Sequence, residues 1–227
     1  MQRINTMAKK RILVVDDHPL TRKGLCDAIG TQPDLMVCGE AEAWRQALKL
    51  IHALQPDIVL LDLNLTDGNG WDLLRHLEAE GIQTPVLVVS VCDEEVYAPR
   101  LLQSGAKGYL MKDAPVVKVL ESIRKILDGH IAVSNTMASR LIQTATQRSG
   151  KSYSASELDQ LSNRELQVFE LLRQGKSSRD IAECMGVSQK TIGTYKARLM
   201  EKCGVRTTPE LLARIQAPAN ESPSPEP

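Results

Sequence analysis

Five short apolar runs punctuate the first half of the chain, at about 11–15, 35–40, 57–61, 85–89 and 107–110, rich in Val, Ile and Leu. They are nearly continuous in apolar character rather than alternating, the signature of strands buried on both faces of a parallel sheet. Between them, apolar residues recur at three- and four-residue spacing: Leu20, Leu25 and Ile29; Ala43, Ala47, Leu50 and Ile51; Trp71, Leu74 and Leu77; Val96, Leu101 and Leu102; Val116, Val119, Leu120, Ile123 and Ile126. That spacing predicts helices with one buried face. Strand and helix alternate five times over 11–128, which predicts an α/β domain with a doubly wound, five-stranded parallel sheet. In such folds the ligand site lies beyond the carboxyl ends of the strands.

The pattern changes after residue 128. SNTMASRLIQTAT (134–146) reads as a helix, with Ser134 as cap and Met137, Leu141 and Ile142 on one face. QRSGKSYSASE is too polar to pack and reads as linker. Four short helices follow, each with a start signal: capping boxes at Ser162/Glu165 and Ser177/Asp180, a cap at Ser188, and Thr208 before Pro209 and Glu210. The chain thus divides into an α/β domain at 10–128, a helical linker at 129–160, a small all-α four-helix domain at 161–217 and a proline-rich tail at 218–227, expected to be disordered.

Composition changes this picture little. Of 227 residues, 42% are hydrophobic and 25% charged, as in a globular protein. No apolar stretch approaches the ~18 residues needed to cross a bilayer, and the N-terminus lacks a signal-type apolar core, so no membrane partner and a cytoplasmic location are expected. Five scattered cysteines without CxxC spacing imply reduced thiols. Net charge is zero, but it hides a balance of −3 over 1–129 and +3 over 130–227.

The ends of the strands carry the chemistry. Asp16 and Asp17 close the first run, Asp62 the third, Ser90 the fourth and Lys112 the fifth. Carboxylates ~4 Å apart repel by roughly 4 kcal/mol per pair at an effective dielectric of 20, unless a cation sits between them or some are protonated. Oxygen-only donors favour a hard ion such as Mg²⁺. A carboxylate can itself be the nucleophile in phosphoryl transfer, with an amine such as Lys112 assisting. His18 precedes Pro19 at a helix start and is not expected to be a ligand. Asp17 has a blander alternative role as the cap of that first helix.

The second domain has a different pattern. Residues 178–200 show helix-turn-helix spacing: Ile181 and Ala182 inward, Gly186 in the turn, Val187 in the core and Ser188 starting the next helix. Ile192, Tyr195, Leu199 and Cys203 repeat at helical spacing and should pack inward. Lys190, Thr191, Gly193, Thr194 and Ala197, with Lys196, Arg198 and Lys202, are the candidate DNA contacts; on spacing alone the same helices also suit a protein-interaction module with a solvated basic face. Residues 188–206 carry five basic residues (Lys190, Lys196, Arg198, Lys202, Arg206) against Glu201 alone, a concentration suited to phosphate contacts.

VVDDHPLTRKGL, LLDLNLTDGNGWDLLRHL, VLVVS and SGAKGYLMKDA resemble the receiver domain of bacterial two-component response regulators, over residues 10–128. The resemblance implies a flavodoxin-like fold and Asp62 as phospho-acceptor. It further implies Mg²⁺ bound by Asp17, Asp62 and the backbone carbonyl of Asn64, with Asp16 acting through water or hydrogen bonds. Lys112 and Ser90 would grip the phosphoryl oxygens, and Ser90 with Tyr109 would form the switch. The segment from LSNRELQVFELL to TTPELL resembles the four-helix LuxR-type DNA-binding domain of the NarL/FixJ type. That implies helix 189–203 in the major groove, helix 209–216 as dimer contact, a partner histidine kinase and a homodimer on double-stranded DNA. The resemblance implies a transcription factor, not an enzyme beyond its own phosphorylation and dephosphorylation.

The chain departs from these families in several places. Thr66 replaces a usual proline after LxL, which predicts a looser loop beside the acceptor. Lys112-Asp113 replaces Lys-Pro, which removes the reason to expect a cis peptide. Tyr195 stands where His is common, and Gly193 and Ala197 are smaller than usual. A phosphotransferase of the haloacid-dehalogenase sort would need a D-x-D motif, and Asn64 after Asp62 and His18 after Asp16 both fail it. A phosphorylation-independent DNA-binding regulator with the receiver as interaction module is the remaining alternative.

Overall fold

The computed structural model describes residues 8–147 and 160–216, so most of the polar linker and the whole predicted tail lie outside the described residues. The chain forms two compact units, split at residue 150.

The first unit is built on β1 (Lys10–Val15), β2 (Leu35–Ala41), β3 (Ile58–Leu61), β6 (Val86–Ser90) and β7 (Gly108–Met111), with a hairpin of β4 (Asn64–Leu65) and β5 (Gly68–Asn69) after β3. The five longer strands are parallel, in the order β2-β1-β3-β6-β7. The chain runs from the middle of the sheet to one edge and then to the other, so β1 and β3 flank the point where the order reverses. Asp16–Asp17 and Asp62 follow those two strands. Only β3 and β6 are buried throughout; edge strand β2 is largely half-buried or exposed, contrary to the reading of all five runs as fully buried. Edge strands have one uncovered side, which explains the difference.

Side chains alternate across the central strands. Ile12, Val14, Ile58, Leu60, Leu87 and Val89 join Leu25 and Ile29 of α1 (Pro19–Gly30) and Val119, Leu120, Ile123 and Ile126 of α5 (Val116–Leu127) in one apolar cluster. α2 (Trp44–Leu54) packs on α3 (Gly70–Ala79), and Trp71 of α3 meets Tyr97 of α4 (Glu94–Gln103) at 5.6 Å between ring centroids. Two expected core positions are instead on the surface: Leu20 is 87% exposed and Val116 46%. Both lie in the first turn of their helices, before the helix meets the sheet.

α6 (Asn135–Gln147) belongs to this unit by contact. Ser134 caps it as expected, its Oγ accepting from Met137 N at 3.1 Å. Met137 is buried, but Ile142 is 65% exposed and does not share its face. Ser134 N donates to the Glu94 carboxylate at 2.9 Å and Arg140 pairs with Glu95 at 3.1 Å, which fastens α6 to the first turn of α4. Ala132 lies beside Gly108 as a parallel bridge, continuing the sheet by one residue.

The second unit comprises α7 (Asn163–Arg173), α8 (Ser178–Cys184), α9 (Gln189–Lys202) and α10 (Thr208–Gln216). Both capping boxes and the Ser188 cap form. α10 starts one residue early: Thr207 Oγ1 accepts from Glu210 N at 3.3 Å, and Thr208 is already helical. Ile181, Ala182, Ile192, Leu199 and Cys203 are buried as predicted. Val187 is only half-buried, and Met185, 3% exposed, fills the core beside the turn.

Gly108 has no room for a side chain: a Cβ there would sit 2.6 Å from the Ala132 carbonyl oxygen and 2.9 Å from both Ile126 Cδ1 and Leu87 Cδ1. Gly108→Ala should therefore lower the unfolding free energy of the first unit by about 1–3 kcal/mol, measured by urea denaturation.

Candidate functional site

Four strand ends converge on one point. Asp16 and Asp62 are each 2% exposed, because β1 and β3 lie side by side in the middle of the sheet. Lys112, after β7, reaches both: its Nζ lies 2.7 Å from Asp62 Oδ2 and 2.8 Å from Asp16 Oδ2. Asp62 Oδ1 accepts from Leu63 N at 2.7 Å, so the loop after β3 orients the carboxylate. Asp17 does not cap α1. The N-cap position is His18, without a side-chain cap bond, and it is Asp16 Oδ1 that accepts from His18 N at 2.8 Å. The Asp17 carboxylate is left facing the cluster.

His18 is the residue sequence reasoning dismissed. Its Nδ1 lies 2.6 Å from Asp17 Oδ1, 3.4 Å from Asp16 Oδ1 and 3.8 Å from Asp62 Oδ2. Helix start at Pro19 places it there: the N-cap backbone is extended and turns the ring back over the acids. Its place immediately after an acid pair was the available signal.

Burial is the main force on Asp62, pushing its pKa up to about 6 against the opposing attraction of Lys112 and a backbone bond from Asn64. Burial also works against the charge of Lys112, but Asp62 and Asp16 outweigh it and leave its pKa raised. One ammonium thus serves a crowd of acids. Donor atoms of Asp16, Asp17, His18 and Asp62 all lie within 4.8 Å of one another, a spacing that a single divalent ion spans. The carboxylate-rich donor set fits a hard cation such as Mg²⁺.

Ser90 and Tyr109 lie beside this cluster, both fully buried. Ser90 Oγ accepts from Cys92 N at 3.3 Å, and its carbonyl accepts from Lys112 N at 2.8 Å. The Tyr109 ring points inward. Its hydroxyl donates to the Cys92 carbonyl at 2.6 Å, and burial raises its pKa so that it keeps its proton. There is no cis peptide among the described residues, in line with the Lys112-Asp113 departure. The loop at Thr66 is not loose. Thr66 N and Oγ1 both donate to the Glu42 carbonyl, at 3.3 and 3.0 Å, and the first of these bonds is one proline cannot make.

In the second unit, Lys190, Gly193, Thr194, Ala197, Arg198 and Lys202 of α9 are exposed, while Thr191, Tyr195 and Lys196 are half-buried. The basic residues are not equivalent. Lys202 Nζ pairs with Glu165 at 2.6 Å and bonds the Gln160 carbonyl at 3.1 Å. Burial favours protonation of Glu165, but Lys202 and the Ser162 capping bonds outweigh it and hold the carboxyl below its ordinary range. Lys196 reaches Ser178 Oγ at 3.4 Å. Thr191 Oγ1 lies 2.8 Å from Ser188 Oγ, and Thr194 Oγ1 donates to the Lys190 carbonyl at 3.2 Å.

Two family models match, the response regulator receiver domain over residues 12–124 and the LuxR family of bacterial regulatory proteins over 159–214. The chain is 32% identical over 201 residues to the response regulator GacA of Pseudomonas aeruginosa, covering 88% of this chain and 92% of that protein. It belongs to the NarL/FixJ type of response regulators. NarL of Escherichia coli K12, the nitrate/nitrite response regulator, is 30% identical over 199 residues, covering 88% of this chain and 91% of NarL. Among solved structures, a LuxR-family two-component response regulator from Aurantimonas sp. SI85-9A1 aligns with a TM-score of 0.56 and 29% identity, over 61% of this chain and 99% of that one. RcsB of Salmonella enterica serovar Typhimurium, solved bound to promoter DNA with a phosphomimetic, shares the fold with a TM-score of 0.63 at 20% identity, over 92% and 99%.

This response regulator therefore joins a receiver domain to a DNA-binding LuxR-type domain and acts in transcription regulation within a two-component system. No described helix is long and apolar enough to cross a membrane.

The raised pKa of Asp62 has a definite sign. An unfolded Asp titrates near pH 3.9 and folded Asp62 near 6, so between those values the folded state binds the extra proton. Stability from this group is complete below the unfolded value and is lost as pH rises through the folded one. Asp62→Asn should thus stabilise the protein in EDTA at pH 7.5 by about 1–3 kcal/mol, a gain that shrinks toward pH 4. Lys112 keeps Asp16 as partner in that variant. Urea denaturation at both pH values measures it.

Proposed function

We propose that Asp62 is the phospho-acceptor and that its phosphorylation by a partner histidine kinase controls DNA binding by a homodimer. The observation that carries this reading is the buried Asp62 carboxylate with Lys112 at 2.7 Å and the Asp16–Asp17 pair alongside. An Asp62 oxygen attacks the phosphorus of a phosphohistidine. The O–P bond forms as the P–N bond breaks, and the electron pair returns to the imidazole nitrogen, which is protonated there. Asp17, Asp62 and the Asn64 carbonyl would hold Mg²⁺, with Asp16 acting through water or a hydrogen bond; the ion supplies neutralising charge for the transferred group. Lys112 and Ser90 bind its oxygens. Tyr109, already packed behind Ser90, follows any shift of that hydroxyl and reports the added ~1.5 to 2 negative charges.

On DNA, α9 enters the major groove and α10 makes the dimer contact. Lys190 and Thr194 share readout of base edges, beside Gly193 and Ala197, which let the helix approach closely. Arg198 contacts phosphate. Lys196, Thr191 and Lys202 are bonded within the domain and support the helix from behind.

Full-length protein incubated with acetyl phosphate and Mg²⁺ should gain one phosphoryl by intact mass. Asp62→Asn, or EDTA, should abolish the gain, and Lys112→Ala should slow it. A wild-type chain that stays unmodified while binding DNA unchanged would establish the phosphorylation-independent regulator instead.

Arg198→Ala should weaken binding uniformly across a library of selected duplexes and reduce the salt slope by about one, whereas Lys190→Ala should change base preference. Lys202→Ala should leave preference intact and instead cost about 1–2 kcal/mol of stability, through the unpaired Glu165. Affinity selection and denaturation separate the three.

A further inference from the structure

The loop after Asp62 has an anchoring that its sequence departure conceals. Asn64, whose backbone carbonyl is a metal donor in the reading above, opens a hairpin with only two residues in each strand. So short a ladder is too weak to fix the direction of a carbonyl unaided. Response regulators commonly stiffen this loop with a proline where this chain has Thr66, so the restraint must come from elsewhere.

It comes from the loop before α2. Thr66 donates twice to the Glu42 carbonyl. Asp67, at the hairpin tip, accepts from the backbone N–H groups of Trp44 at 2.8 Å and Arg45 at 3.2 Å. The guanidinium of Arg45 adds contacts at 3.4 Å to the Asp67 carboxylate and carbonyl. The N-cap residue of α2 is Ala43, which has no side-chain cap to give. Asp67 therefore caps α2 from 22–23 residues away, with its charge at the positive end of the helix. The arrangement is packed as well as bonded: Arg45 lies 4.5 Å over the Trp44 ring, Trp44 meets His76 at 4.6 Å between tilted rings, and a Cβ on Gly68 would come 3.1 Å from Trp44 Nε1.

We infer that Asp67, with Thr66, is a positioning residue for the phosphoryl site, which ties the Asn64 hairpin to the start of α2 and so aims the Asn64 carbonyl at the divalent cation. Asp67 touches neither metal nor phosphoryl group. Hydrogen bonds to a neighbouring helix take over the restraint that a proline ring supplies elsewhere. This inference rests on the metal assignment proposed above.

The test is Mg²⁺ titration of the full-length protein without phosphodonor, by calorimetry and by the fluorescence of Trp44 and Trp71. Asp67→Ala should weaken Mg²⁺ binding roughly tenfold. Asp67→Asn, whose amide oxygen still accepts from Trp44 N, should recover part of the affinity. Thr66→Val, which keeps the N–H but not the hydroxyl, should give a smaller loss. Amide hydrogen exchange at Leu65 and Thr66 should quicken in the order of these losses, a readout that a uniformly destabilised but correctly aimed loop would not rank this way. If Asp67→Ala fails to fold, Asp67→Asn and Thr66→Val carry the comparison. Affinities equal to wild type in the folded variants overturn the inference and leave the metal reading standing. A wild-type chain that takes up no Mg²⁺ overturns both.

Discussion

The site depends on a conflict of charge. Asp62 and Asp16 are buried carboxylates at the ends of adjacent strands, and Lys112 bridges them, at 2.7 and 2.8 Å. Parallel strands bring their carboxyl ends to one edge, and β1 and β3 lie where the strand order reverses, so the acids have no other place to go. Burial raises the proton affinity of Asp62 while Lys112 and nearby backbone N–H groups oppose it. Such a carboxylate is costly to the resting fold. It is suited to a reaction that delivers a cation and a phosphoryl group to the same point, because both relieve the crowding or use it.

Much of this is legible in the sequence because it depends on period and position. Continuous apolar runs locate the strands to within one or two residues, and in four of the five the polar residue that ends the run is the one that enters the site. Helix starts are equally plain where a serine side chain makes the cap, as at Ser162, Ser177 and Ser188. The misses share a cause. Two-residue strands have no periodicity, so the hairpin at Asn64–Asn69 reads only as a turn. A cap supplied by Asp67 to a helix 22–23 residues earlier leaves no local trace, which is why Thr66 suggests slackness where the structure has two bonds to Glu42. The rule about Pro19 locates the helix start and says nothing of the His18 ring, which reaches Asp17 at 2.6 Å.

Charge counting misleads in a related way. Five basic residues over 188–206 suggest an evenly cationic helix, yet the folded domain spends some of them on itself. Lys202 neutralises the buried Glu165, which also serves the Ser162 capping box, so α7 and α9 are joined by one charge. A surface cation and a structural one look identical in sequence. Only the partner's burial tells them apart: Lys202 meets the buried Glu165, whereas Lys190 and Arg198 are exposed basic residues of α9.

Tyr109 connects the acidic site to the rest of its unit. Its hydroxyl is fixed to the Cys92 carbonyl in the β6–α4 loop, and its backbone N–H donates to the Ala132 carbonyl at 2.8 Å. Ala132 lies three residues before α6, whose first turn is held by Glu94 of α4. The residue behind Ser90 is therefore bonded at one end to the β6–α4 loop and at the other to the segment leading into α6. A fully buried ring cannot shift without its neighbours, because dense packing leaves it nowhere to go. Pro99 sits inside α4 and cannot donate the helical bond to Glu95, so α4 has fewer internal bonds holding it than a regular helix of its length. That helix, one internal bond short, is the element to which α6 is fastened.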